Sequence, residues 1–139
     1  MCMSHFKIDI LTPSSIIAKN LEASSIIVPT ERGEINILPQ HTHLMAKLET
    51  GILKLESSGN KVDTFCVTNG ICKILNDKVI VLTSAGERQD MIDLERAKKA
   101  LEKSISKLTS DTTLSDSDRE KYVRKYLRAE VRIKMAKNR

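Results

Sequence analysis

Two hydrophobic periodicities divide the chain. In FKIDIL, Phe6, Ile8 and Ile10 fall on one face of an extended segment, with Lys7 and Asp9 on the other. In ILKLES, Leu53 and Leu55 oppose Lys54 and Glu56 in the same way. SIIVP, TFCVT, CKIL and KVIVLT are further short runs rich in β-branched residues. The turn signals Thr12-Pro13, Ser58-Gly59-Asn60, Asn69-Gly70 and Asn76-Asp77 separate them. Many short strands at this spacing predict an antiparallel sandwich or barrel. Beyond residue 87 the period lengthens. Leu94, Ala97, Leu101, Ile105 and Leu108 recur at helical spacing, and so do Tyr122, Tyr126, Ala129, Ile133 and Ala136. Asp90 or Asp93 suits the start of the first helix and Ser115 the start of the second, with Asp116 and Asp118 in its first turn. The break TSDTTL between the two stripes predicts an antiparallel helical hairpin whose stripes are narrow and rich in alanine.

Composition sharpens this boundary. All five glycines and all three prolines lie at or before Gly86. Residues 1–87 carry 8 Lys/Arg and 9 Asp/Glu, a net of −1, whereas residues 88–139 carry 15 and 9, a net of +6. We therefore expect a β domain over 1–87 and a helical hairpin over 88–139. The longest aliphatic runs, such as Val79-Ile80-Val81-Leu82, are far shorter than the roughly 20 residues that span a bilayer. MCMSHFKIDILTP has no apolar core of a signal peptide, so the chain is expected to stay in the compartment where it is made.

Little in the sequence points to catalysis. His41 and His43, two apart, share one side of an extended chain, but a zinc site needs a third or fourth ligand and the only other histidine is His5. There is no C-x-x-C, no phosphate loop and no nucleophile elbow, so we expect neither a metal site nor catalytic residues. A two-residue hairpin at Asn69-Gly70 would set Val67 opposite Cys72 and Cys66 opposite Lys73. Cys66 and Cys72 would then face opposite sides of the ribbon and could not bridge. Phe65, Val67, Cys72 and Ile74 would share the apolar face.

The strong electrostatic feature is the last helix. Arg124, Arg128 and Arg132 recur every four residues, and Lys121 and Lys125 widen the ridge. It is either a solvated face or a docking surface for something acidic, whether nucleic acid or an acidic protein. The chain has only four aromatic residues, and the helical stripe needs Tyr122 and Tyr126, so no stacking platform for bases is evident.

A β domain followed by a helical hairpin, with GEINILPQH in the first part, resembles the epsilon subunit of F-type ATP synthase. Gly33, Glu34, Ile37, Leu38, Pro39 and His41 match the family's G-E-L-G-I-L-P-G-H stretch, and two family glycines are Asn36 and Gln40. FKIDILTP is similar to the family's first strand and LETGILKL to its strand after the loop. VTNGICKILNDKVIVLT is similar to its later hairpin, and Ile92 to Ala97, IDLERA, fits the I/L-D-x-x-R-A motif opening the first helix.

The resemblance implies an N-terminal antiparallel β-sandwich and a C-terminal antiparallel two-helix hairpin. It implies a non-catalytic rotor subunit in the central stalk, at the cytoplasmic face of the bacterial inner membrane and held there only through the complex. The gamma subunit and the c-subunit ring would be its partners, with Glu34 and His41 toward the ring. The hairpin could fold down on the sandwich or extend toward the alpha and beta subunits. Extended, Arg124, Arg128 and Arg132 would inhibit ATP hydrolysis. No cofactor is implied beyond weak ATP as a regulatory ligand. Its candidate residues are Glu87, Asp93, Arg96 and Ala97 in and before the motif. Lys103, Met135 and Arg139 stand where family binders carry basic residues, and the uncharged Met135 leads to an expectation of weak or absent binding. A nucleic-acid-binding module using the basic hairpin is the alternative.

Overall fold

A computed structural model describes residues 5–38, 43–57, 61–110 and 113–138. The chain divides into two compact units, Met1–Arg88 and Gln89–Arg139. Among the described residues, the first holds eight strands: β1 (Phe6–Leu11), β2 (Ile16–Ala23), β3 (Ser25–Thr30), β4 (Gly33–Ile37), β5 (Leu44–Leu48), β6 (Gly51–Ser57), β7 (Lys61–Leu75) and β8 (Lys78–Arg88). The second holds a short 3-10 turn, Gln89–Met91, then helices α1 (Leu94–Ser110) and α2 (Asp116–Lys137).

The strands hydrogen-bond in the order β2-β1-β8-β7-β5-β3-β4, and β6 joins β3 to β7. β6 pairs with the first half of β7 and β5 with the second, so these two short strands share one edge of a long one. All pairs are antiparallel except β1 with β8. The sheet folds over one core in which Phe6, Ile8, Ile10, Leu53, Leu55, Phe65, Val79 and Val81 are buried. The period-two pattern of β1 and β6 is kept, with Lys54 and Glu56 exposed.

The Asn69-Gly70 hairpin does not form. β7 runs straight through it, and Val67 and Cys72 face Gly86 and Val81 of β8. Asn69 adopts φ 34, a left-handed value asparagine tolerates, and bends the strand instead of reversing it. Where the ladder is disturbed, the Thr83 hydroxyl accepts the Thr68 N–H (3.0 Å) and donates to the Thr68 carbonyl (2.6 Å). The hairpin turn between β7 and β8 is Asn76-Asp77, with Asn76 at φ 50. Cys66 and Cys72 form no disulfide; both are buried, and they lie six residues apart on one strand, which separates them by roughly 20 Å. Burial pushes the Cys72 thiol up to about 12, as expected of an inert core residue.

Candidate functional site

Each helix of the second unit begins at a side-chain cap. Asp93 Oδ1 accepts the Arg96 N–H (3.2 Å) at the start of α1, and Ser115 Oγ accepts the Asp118 N–H (3.2 Å) at the start of α2. The helices approach through small residues, with Ser104 of α1 and Ala129 of α2 buried. Between them lies a cleft of about 230 Å³. Arg96 and Lys103 line it from α1, and Lys125, Arg128 and Arg132 from α2. Five cationic side chains thus converge on one small space, a natural receptor for a multiply charged anion. Tyr122 also lines it, with Lys125 Nζ 5.4 Å from its ring centroid. One turn further on, the Tyr126 hydroxyl donates to Glu130 Oε1 (2.7 Å), and that carboxylate raises the phenol's pKa.

The structure thus brings together Arg96, Lys103, Arg128 and Arg132 from the sequence-based candidates, and adds Lys125. Arg124 is exposed and does not line the cleft, so the arginine ridge divides: its first member faces solvent and the next two face α1. Asp93 is occupied as a helix cap, and Ala97 is buried without lining the cleft. Glu87 lies on β8, in the first unit. Arg139 lies outside the described residues. Met135 is also not at the cleft. It is buried, and its carbonyl accepts the Gln89 side-chain amide (2.9 Å). Antiparallel pairing sets Arg96 and Lys103 beside the part of α2 between Tyr122 and Arg132, which supplies the opposing charges. The uncharged Met135 therefore takes no cation from this cleft. Helix periodicity also misassigned Ile105, which is exposed, whereas Ser104 is buried in its place.

A second surface lies on the first unit. Across the outer face of the sheet, Leu11 pairs with Leu82, Leu82 with Ile71 and Ile71 with Lys47. Leu82 (49% exposed), Ile71 (43%) and neighbouring Met45 (65%) make an apolar patch too concentrated to be scattered surface residues. Sequence reading missed it, although VIVL carried a signal: it is apolar at consecutive positions, so it has no polar side to give to solvent. The GEINILPQH stretch begins as edge strand β4, turned in by Gly33 at φ 102 and by the Thr30 hydroxyl, which donates to the Gly33 carbonyl (2.7 Å). Asn36 there is ordinary strand opposite Ile27 and needs no glycine-like freedom. Glu34 and Leu38 are exposed, and His41 lies outside the described residues.

The family described as ATP synthase, Delta/Epsilon chain, beta-sandwich domain matches residues 5–89. An ATP synthase epsilon chain of Macrococcus caseolyticus is 35% identical over 109 residues, covering 78% of this chain and 80% of that protein. One of Persephonella marina is 34% identical over 131 residues, covering 94% and 96%. A chain in the cryo-EM structure of the Euglena gracilis mitochondrial ATP synthase, OSCP/F1/c-ring, superposes with a TM-score of 0.77 at 24% identity, covering 98% of this chain and 82% of that one. At that identity the likeness is one of fold.

Proposed function

The chain belongs to the ATP synthase delta/epsilon family, and from that membership we propose that it is a non-catalytic rotor subunit of the enzyme's central stalk. In this reading the β domain couples the c-subunit ring to the gamma subunit. The apolar outer face at Ile71, Leu82 and Met45 supports a lasting protein partner there, for which gamma is our choice, and the exposed Glu34 and Leu38 at the sheet edge suit the ring. The helices form the regulatory part. Swung open, their arginines meet acidic segments of the alpha and beta subunits and inhibit ATP hydrolysis; closed, they hold ATP as a regulatory ligand. The complex as a whole is membrane-bound, and this chain attaches through its partners at the cytoplasmic face.

The five-cation cleft between α1 and α2 carries the regulatory half of the proposal. It stores the inhibitory charges Arg128 and Arg132 when the hairpin is closed, and it gives an anion a reason to keep it closed. Reconstitution tests both halves. A chain ending at Arg88 should join the complex and support proton-driven ATP synthesis. Arg88 must be kept, because its guanidinium pairs with Asp63 (2.9 Å) and stacks on Phe65. The full chain with Arg124, Arg128 and Arg132 all changed to alanine should assemble but release hydrolysis. Failure of the fragment to couple proton flow rejects the rotor assignment, and unchanged hydrolysis with the triple variant rejects the inhibitory one.

A further inference from the structure

Antiparallel pairing brings the last turn of α2 back to the start of the hairpin, and there one side chain ties the two together. The Gln89 amide Nε2 donates to the Met135 carbonyl (2.9 Å) across 46 residues of chain. We propose that Gln89 is the clasp that keeps the helices closed, a positioning residue that sets how often the arginines of α2 are released; this rests on the reading that the open hairpin inhibits. The last four carbonyls of a helix have no partner within it and carry the negative end of its dipole. Met135 holds one of these carbonyls. It also accepts the Asn138 N–H (3.2 Å), but that bond is local to the helix end and survives a movement of α2 as a body. The Gln89 bond is made only while the last turn of α2 lies at the 3-10 turn Gln89–Met91.

Burial concentrates at the same place. Of α2's buried residues, Ala129, Met135 and Ala136, the last two belong to its final turn, and Met135 is the one large side chain among them. Ile92 and Ala97, which begin the hairpin, are buried as well. Gln89 is itself half-buried, so water competes less for its bond than it would at an open surface. When α2 leaves, an enclosed thioether and a shielded hydrogen bond are given up together. A contact present in only one of two states shifts their ratio by the factor it is worth. Part of the closure therefore belongs to the chain itself and is present without any ligand.

Variants at Gln89 separate the hydrogen bond from the space it fills. Gln89→Glu turns a carboxylate toward a carbonyl and a negative helix end, whereas Gln89→Lys keeps a donor there and suits the dipole. In hydrogen exchange of the full chain, the amides of residues 131–138 should lose about tenfold in protection with Gln89→Glu and stay within about threefold of the parent with Gln89→Lys. In the reconstituted enzyme, Gln89→Glu should deepen inhibition of ATP hydrolysis by about threefold or more, and Gln89→Lys should match the parent. Equal protection in all three chains overturns the clasp and leaves the inhibitory reading standing. Equal losses in both variants also overturn it, since the space and not the donor would then matter. Lower protection with unchanged hydrolysis overturns the regulatory role if the triple-arginine variant relieves inhibition, and overturns the inhibitory reading itself if that variant does not.

Discussion

At Gly70 an added Cβ would stand 1.9 Å from the Leu82 carbonyl oxygen, which is backbone and cannot turn aside. Gly70→Ala should therefore cost roughly 3 kcal/mol, the upper end for overpacking, read as a fall in denaturant midpoint. Thr83→Val keeps the shape but strands the Thr68 N–H, and should cost about 1–3 kcal/mol by the same measurement. If both variants are as stable as the parent, the bend at Asn69 is not held as described. These residues also mark a limit of sequence reading. Asn-Gly reports that the backbone must take a left-handed value and approach something closely. Both hold at Asn69 and Gly70, but whether the chain then reverses or only bends is decided by β5 and β6 sharing the edge of β7, which no local pattern encodes. Asp9 gives a pH-dependent case. The Asn20 backbone N–H donates to its carboxylate (2.8 Å) and Lys78 Nζ also donates to it (3.1 Å), and these hold its pKa below the ordinary 3.8. A lowered native value means the stabilisation is complete above 3.8 and fades as pH falls through the native pKa. Asp9→Asn should cost about 1 kcal/mol at pH 7, given partial exposure, and the gap to the parent should close in acid. A gap that stays constant down to pH 2 would mean the carboxylate charge is not its source.

Elements were legible where one face is buried and one is wet. β1 and β6 keep their alternation, and both helices start near their capping residues, because a period and a cap are local facts. The inward face of α1 was harder to read. Hydrophobic bookkeeping selects Ile105, but a close approach of two helices needs small side chains at the contact, and Ser104 with Ala129 supplies them. The two positions should separate cleanly on mutation. Ser104→Leu should force the helices apart and lower the thermal midpoint of the helical signal in circular dichroism, at about 1–3 kcal/mol. Ile105→Ser, on the exposed side, should stay within about 0.5 kcal/mol of the parent. If Ile105→Ser proves the more damaging, the helix pair is rotated from the arrangement described. The same rotation decides which arginines are stored in the cleft, so packing by small residues and the placement of charge are one property of this hairpin.

In the whole molecule, the cations that would serve inhibition and the cations that would serve nucleotide binding overlap without coinciding. Arg128 and Arg132 line the cleft and Arg124 does not. If the hairpin is a two-state element, an anion binding only the closed state adds RT ln(1 + [L]/Kd), about 2.7 kcal/mol at a hundredfold excess over Kd, and opposes inhibition by that amount. Substitutions should then sort by location. Arg124→Ala removes a contact made only in the open state. It should relieve inhibition of hydrolysis in the reconstituted enzyme and leave ATP binding to the isolated chain unchanged. Arg128→Ala removes a charge used in both states. It should weaken ATP binding roughly tenfold or more, the effect of one charge-assisted hydrogen bond, and relieve inhibition as well. Because the two losses in Arg128→Ala act in opposite directions on the closed state, its relief should match that of Arg124→Ala when ATP is scarce and fall below it as ATP rises. Parallel behaviour of the two variants at every ATP concentration would show that the cleft does not couple to inhibition, and that the arginines of α2 act only as an open-state docking ridge.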